Sequence, residues 1–259
     1  MVVVESIEDI QLYLKEKKQF YILGKGSNTV LSETHSYDDI LKISPQCFPV
    51  ECTGNTLCVG AGIAVNELIK ASQHYELSGL EFMAGVPASV GGMVAMNFGC
   101  WGFDISQILQ SVTVITYEGE LKTLSNSDCC FSYRDSIFQH EPFIVLTAEF
   151  QLQKGDSHVI KNLIKKNINK RLASQPLRGL TFGSIFRNPT GQHAAQILDD
   201  LGLKGYGNEF VKLSEQHANF MINKGQAKME HVQAFIGFLQ QKVKNKTGFL
   251  LEPEVKLVN

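Results

Sequence analysis

The sequence lacks most of what would tie it to a membrane, a nucleic acid or an oxidising compartment. Across its 259 residues no apolar run reaches the length of about 18 that a membrane helix needs. Met1-Val-Val-Val-Glu-Ser6 has neither the basic start nor the cleavage site of a secretory signal. Charge of one sign is missing too, since 24 basic and 26 acidic side chains leave a formal net charge of −2. That balance excludes the basic surface of a nonspecific nucleic-acid binder. The six cysteines form no C-x-x-C pair, and the adjacent Cys129 and Cys130 suit neither a mutual bridge nor a zinc knuckle. These absences predict a cytoplasmic protein without a metal site or membrane insertion, its cysteines serving as small buried hydrophobes. Internal repeats, low-complexity tracts and long linkers are absent as well. The length allows one large domain or two to three small ones.

Common nucleotide motifs are also missing. Gly85-Val-Pro-Ala-Ser-Val-Gly-Gly92 is glycine-rich, yet no Lys-[Ser/Thr] follows as in a Walker loop, and the G-x-G-x-x-G spacing is absent. Its glycines and proline instead imply a backbone shaped for close approach to something. A second loop, Gly24-Lys-Gly-Ser-Asn28, follows the apolar Phe20-Tyr-Ile-Leu23, which predicts a buried strand. A strand entering a glycine turn suits a nest of N–H groups around an anion, and equally a plain left-handed turn. That loop alone leaves both readings open. Two such loops on one chain point to a large phosphate-bearing cofactor.

Periodicity supplies the remaining elements. Ser6 caps a short helix through Lys15, and Leu57–Gly62 reads as a strand and turn before a helix from Val65. Ser111–Tyr117 and Glu120–Leu124 form a hairpin about Glu118-Gly119, and Phe143–Leu152 is a further strand. Beyond Gln153 the texture changes to a basic amphipathic helix over Val159–Arg171, helices over Gln192–Leu201 and Lys228–Lys244, and a closing strand over Phe249–Val258. Strands and helices mix without regular alternation, which predicts an α+β fold and not a doubly wound sheet.

Taken in order, Gly24-Lys-Gly-Ser-Asn28, Gly85-Val-Pro-Ala-Ser-Val-Gly-Gly92, Met96-Asn-Phe-Gly99, Tyr133-Arg-Asp-Ser-Ile-Phe138, Gly183-Ser-Ile-Phe-Arg-Asn-Pro189 and Leu251-Glu-Pro-Glu-Val-Lys256 closely resemble the UDP-N-acetylenolpyruvoylglucosamine reductase family. The resemblance runs from about residue 5 to the end. It implies a non-Rossmann flavin fold of the PCMH type, with an FAD-binding domain over residues 1–153 made of two small α/β subdomains divided near residue 50. A substrate domain over 154–248 and a C-terminal strand over 249–259 that returns to the active site complete the implied organisation. It also implies a cytoplasmic monomer of peptidoglycan precursor synthesis. NADPH reduces FAD, which passes hydride to the enolpyruvyl ether of the UDP-sugar to give UDP-N-acetylmuramate.

By motif position the resemblance assigns FAD to Gly24, Lys25, Gly26, Ser27, Asn28, Gly85, Val86, Ser89, Val90, Gly92, Asn97 and Gly99. Hydride transfer next to a carboxylate builds negative charge there, so the protein must position substrate, hold that charge and deliver a proton. Arg134 matches the family arginine facing the carboxylate, and a planar, permanently charged fork suits that anion. Ser184 matches the family proton donor, although by itself it reads as a turn serine eased by Gly183. Glu252 and Glu254 share one face of a strand by alternation; the family pattern of an acid before Val and a basic residue selects Glu254. Tyr133, Arg187 and Asn188 fall at substrate positions.

Two departures accompany the resemblance. The family's Asn-Thr segment ending in Ile-Gly-Gly has no counterpart before the first helix, and only Thr190-Gly191 separate Pro189 from Gln192, as in the compact branch. The competing readings are another PCMH-type flavin oxidase and a non-catalytic FAD-binding module.

Overall fold

Ser6 begins the first helix as its capping chemistry requires. In the computed structural model of the chain, which describes residues 1–17, 19–34 and 36–258, Ser6 Oγ accepts a hydrogen bond from Asp9 N at 3.0 Å. The Asp9 carboxylate accepts from Glu5 N at 3.1 Å, and that bond holds its pKa below the usual carboxylate range. Reciprocal bonds of this kind satisfy donors that a helix start leaves open. The helix Ile7–Glu16 then turns Ile10 and Tyr13 into the core.

The chain divides into two units, Met1–Lys25 with Ser36–Asn169 and Gly26–His35 with Lys170–Asn259. Each has its own hydrophobic core.

In the first unit the strands Val2–Val4 and Tyr21–Ile22 both pair parallel with Ile40–Ile43. A second, antiparallel sheet runs in the order Leu121–Ser125, Leu109–Thr116, Phe143–Gln151, Thr56–Gly60, Glu51–Thr53 among the described residues. Its hairpin pairs Ser111 with Ser125 through to Ile115 with Leu121, as the Glu118-Gly119 turn predicts. Alternation buries Leu57, Val59, Val112, Ala148 and Phe150. A register shift between Thr113 and Val114 leaves Leu146 of the partner strand as the extra residue, and there Ile144, Val145 and Leu146 are all buried. The helices Val65–His74 and Val90–Ala95 bury Leu68, Met93 and Val94 in the same core. Each large apolar side chain so buried contributes about 1.5–3 kcal/mol.

In the second unit Thr29–Leu31 pairs parallel with Lys256–Val258, and Val211–Leu213 pairs antiparallel with Met221–Asn223. The helix Met229–Thr247 buries Phe235, Ile236, Leu239 and Val243, and Gly248 ends it at φ 79°. Mixed parallel and antiparallel pairing, with helices interspersed, makes the fold α+β as expected. No helix among the described residues is long and apolar enough to cross a membrane.

Three local expectations need correction. The apolar Phe20–Leu23 run predicts a buried strand, but among the described residues Tyr21–Ile22 is an edge strand beside Ile40–Ile43, and both side chains are exposed. The closing strand Phe249–Val258 is regular only over Lys256–Val258, because Pro253 cannot donate to a ladder and makes a single bridge to Phe186. The six cysteines are thiols outside any disulfide, and of them only Cys129 is buried. Burial pushes its thiol up to about 12, which makes it a packing residue. Cys130 ends its turn in left-handed backbone at φ 48° and is exposed.

Candidate functional site

Gly24, which opens one glycine loop, meets the other loop within the first unit. Gly24 lies so close to Ser89 that a Cβ at position 24 would overlap the Ser89 hydroxyl. A Cβ on Gly91 would lie 2.8 Å from the Ala61 Cβ, and one on Gly62 would lie 2.5 Å from the Ile43 carbonyl oxygen. Such approaches admit only glycine. Beside them is a cavity of about 350 Å³, within the size range of small-molecule sites. Gly24, Lys25, Lys42, Gly62, Ser89, Gly91 and Gly92 line it together with Ile22, Ile43, Pro45, Ala95, Phe138, Phe143 and Val145.

Local hydrogen bonds explain the shape of the Gly85–Gly92 loop. Gly85 adopts φ 83°. Val65 N donates to Ala88 O at 3.0 Å, Val90 N to Ile63 O at 2.9 Å and Gly91 N to Ala61 O at 2.9 Å. These bonds stitch the loop to the turn after the strand Thr56–Gly60. Ser89 then caps the helix Val90–Ala95, its Oγ accepting from Gly92 N at 3.4 Å. Val86 and Val90 pack into the core. The donor set fits a dinucleotide: two ammonium groups and a hydroxyl suit phosphate, while the aliphatic and aromatic side chains suit a flat ring.

Other residues expected at the cofactor have protein partners. Gly26, Ser27 and Asn28 belong to the second unit. There Asn28 Nδ2 donates to Glu254 O at 3.1 Å, and Asn28 O accepts from Lys256 N at 3.0 Å. Asn97, buried at φ 38°, donates through Nδ2 to Ser132 O at 2.9 Å and accepts at Oδ1 from Ser106 N at 3.1 Å. Gly99 O accepts from Arg134 Nη2 at 2.8 Å. Asn97 and Gly99 thus bond to the turn that carries Arg134.

Arg134 itself has left-handed backbone, φ 57°. Its guanidinium carbon stands 5.6 Å from the Phe98 ring centre and 5.1 Å from that of Tyr133, a cation–π arrangement that orients the fork. Asp135, next in sequence, holds His140 Nε2 at 2.8 Å. Tyr133 is exposed.

In the second unit Ser184 and Glu254 lie on neighbouring extended segments. Ser184 bridges to Phe220, and Glu254 N donates to Ile185 O at 2.8 Å. Arg187 N donates to Glu252 O at 2.9 Å. Glu254 is half-buried whereas Glu252 is exposed. Asn188 Oδ1 accepts from Ala194 N at 3.0 Å, at the start of the helix Ala194–Asp200. Gly183, at φ 87°, precedes Ser184.

Sequence reasoning passed over several residues. Gly62 and Lys42 line the cavity; their signals are the Gly60-Ala-Gly62 sequence that closes a strand and a lone charge in the apolar strand Ile40–Ile43. Gly91 lines it as well, beside its neighbour Gly92. Phe138, Phe143 and Val145 gave no signal, since an apolar residue in a strand or turn reads as core. Asn219 was missed too. It is buried, and it clamps Phe186 by accepting from its N at 3.0 Å and donating to its O at 2.8 Å.

Comparison with known proteins bears on both units. Residues 1–125 match a family described as FAD binding domain. Residues 175–258 match the family UDP-N-acetylenolpyruvoylglucosamine reductase, C-terminal domain. The chain is 36% identical over 256 residues to the UDP-N-acetylenolpyruvoylglucosamine reductase of Halalkalibacterium halodurans, covering 98% of this chain and 85% of that one. It is 35% identical over 254 residues to the enzyme of that name from Caldanaerobacter subterraneus, covering 98% and 84%. The crystal structure of UDP-N-acetylenolpyruvylglucosamine reductase from Thermus caldophilus superposes with a TM-score of 0.85 at 27% identity, covering 99% of this chain and 91% of that one. Near-full-length identity at this level, with matches in both halves, shows that the chain belongs to the UDP-N-acetylenolpyruvoylglucosamine reductase family.

Proposed function

We propose that this protein reduces the enolpyruvyl ether of UDP-N-acetylenolpyruvoylglucosamine to UDP-N-acetylmuramate with NADPH, as a cytoplasmic monomer in peptidoglycan precursor synthesis. The observation that carries the reading is the pairing of the Ser184 and Glu254 segments through Glu254 N and Ile185 O. That bond puts the two residues on adjoining segments within the C-terminal domain that the family match covers.

FAD, when bound, supplies the hydride. Lys25, Lys42 and Ser89 would hold its phosphates, and Gly24, Gly62, Gly91 and Gly92 leave room for it by lacking side chains. Gly85, Val86 and Val90 shape that loop from behind. Gly26, Ser27, Asn28, Asn97 and Gly99 are assigned to the same cofactor, with Asn28, Asn97 and Gly99 held in place by the bonds described above.

Arg134 is assigned to the substrate carboxylate, where negative charge grows during the reaction. A permanently charged fork held by Gly99 O and two rings is preorganised for that charge. Ser184 Oγ–H supplies the proton to the carbon beside the carboxylate. A hydroxyl is a weak acid, but the acceptor is strongly basic, and general-acid help is worth roughly 10²–10⁴-fold. Glu254 anchors the carboxyl region of the substrate. Tyr133, Arg187 and Asn188 are assigned to the UDP-sugar, a cation and an amide being suited to its diphosphate. The test is product identity: FAD-loaded protein with NADPH should yield UDP-N-acetylmuramate, heavier than the substrate by two hydrogens. NADPH consumption without that product would reject the proposal.

A further inference from the structure

The turn that carries Arg134 is stitched by side chains to the end of the helix Val90–Ala95. Ser136 Oγ donates to Ala95 O at 2.7 Å. Gln139 Nε2 donates to the same Ala95 O at 3.0 Å and to Arg134 O at 3.0 Å. Gln139 is therefore committed at one end only, because its Oε1 is buried with no hydrogen-bond partner among the described residues. Turning the amide over would bring Oε1 against two carbonyl oxygens and repair nothing. A buried acceptor without a donor is destabilising, and such groups call for an explanation beyond packing.

The two carbonyls supply that explanation. Arg134 is a non-glycine residue at φ 57°, a backbone region that sterics disfavour and that surrounding bonds must enforce. Ala95, at the other end of the Gln139 amide, lines the candidate cofactor cavity. One side chain thus joins the strained residue to the cavity wall.

We infer that Gln139 is a positioning residue for the reduction. It holds Arg134 in its left-handed conformation and keeps the guanidinium in register with the cavity wall at Ala95, without itself touching substrate. The inference rests on the proposed role of Arg134.

The test uses the full-length, FAD-loaded protein and the variants Gln139→Leu, Gln139→Glu, Gln139→Lys and Arg134→Ala. Steady-state kcat and KM for UDP-N-acetylenolpyruvoylglucosamine, the anaerobic rate of flavin reduction by NADPH, and Tm are measured for each. Gln139→Leu and Gln139→Glu should lower kcat/KM for the enolpyruvyl substrate roughly 10–100-fold, as small misplacements of catalytic groups do, while reduction by NADPH persists. Gln139→Lys should restore most of kcat/KM, because an ammonium donates to both carbonyls and leaves no acceptor unpaired. A purely structural residue would instead lower Tm, leave kcat/KM of the folded protein at the wild-type value, and show no advantage of Lys over Glu. That result overturns the inference. If Gln139→Leu fails to fold, the Glu and Lys variants decide alone. Should Arg134→Ala leave kcat/KM unchanged, the role of Arg134 falls and this inference with it. Should Arg134→Ala be severely impaired while Gln139→Glu matches wild type, only the positioning role falls.

Discussion

Gly24 and Ser89 are in such close contact that the serine hydroxyl occupies the space where a side chain at position 24 would begin. Ser89 is also the cap of the helix Val90–Ala95, so one hydroxyl fixes both the helix start and the separation of the two loops. The cavity beside them depends on that contact.

Gly24→Ala should therefore weaken FAD binding and cost about 1–3 kcal/mol of stability, the usual range for overpacking. Ser89→Gly loses the cap, worth a few tenths of a kcal/mol against glycine, yet it clears the space. The double variant should recover part of the Gly24→Ala loss. Urea unfolding and FAD titration of the four proteins measure the coupling; additivity within about 0.5 kcal/mol would mean that the contact carries no energy.

Gly91 faces Ala61 in the same way, with an added Cβ 2.8 Å from that of Ala61. Gly91→Ala should destabilise the protein by about 1–3 kcal/mol, and Ala61→Gly in the same chain should relieve it. Chemical denaturation distinguishes relief from simple addition of two losses.

Ser184→Ala should separate the half-reactions. Flavin reduction by NADPH should proceed normally, and turnover of the enolpyruvyl substrate should fall roughly 10²–10⁴-fold. Stopped-flow absorbance follows each half alone. Equal loss in both would remove Ser184 as proton donor.

His217 gives a dependence on pH. Burial, reinforced by Lys204, pulls its imidazole below the ordinary 6.5. The native state therefore refuses a proton that the unfolded chain accepts. Stability conferred by neutral His217 is full above about pH 6.5, is lost as pH falls toward the lower native value, and then levels off. His217→Gln keeps an acceptor for Asn219 N, which now reaches His217 Nδ1 at 3.3 Å. Its stability should decline less steeply over that interval, by up to about one proton's worth of slope. Identical pH profiles of Tm would refute this.

Local signals made part of this molecule legible. Ser6 and the spacing of Ile10 and Tyr13 mark a helix because capping and amphipathicity are encoded within a few residues. Glu118-Gly119 marks the hairpin for the same reason. The Gly85–Gly92 loop stands out because close backbone approach requires glycine. What it approaches is not local, however. Gly91 answers to Ala61, and Gly24 to Ser89. Lys42 and Phe138 reach the cavity only because separate strands and turns converge there. Asn28 and Asn97 depend on packing as well: each sits in a motif expected at the cofactor, and each donates its amide to distant backbone, at Glu254 and Ser132. A side chain's partner is set by tertiary packing, which no spacing rule along the chain contains.

The central claim is tested most directly by an anaerobic flavin titration. NADPH should bleach the FAD-loaded protein, and one equivalent of UDP-N-acetylenolpyruvoylglucosamine should restore the oxidised spectrum with UDP-N-acetylmuramate formed in step. A flavin that stays bleached with that substrate and recovers only in air would contradict the account.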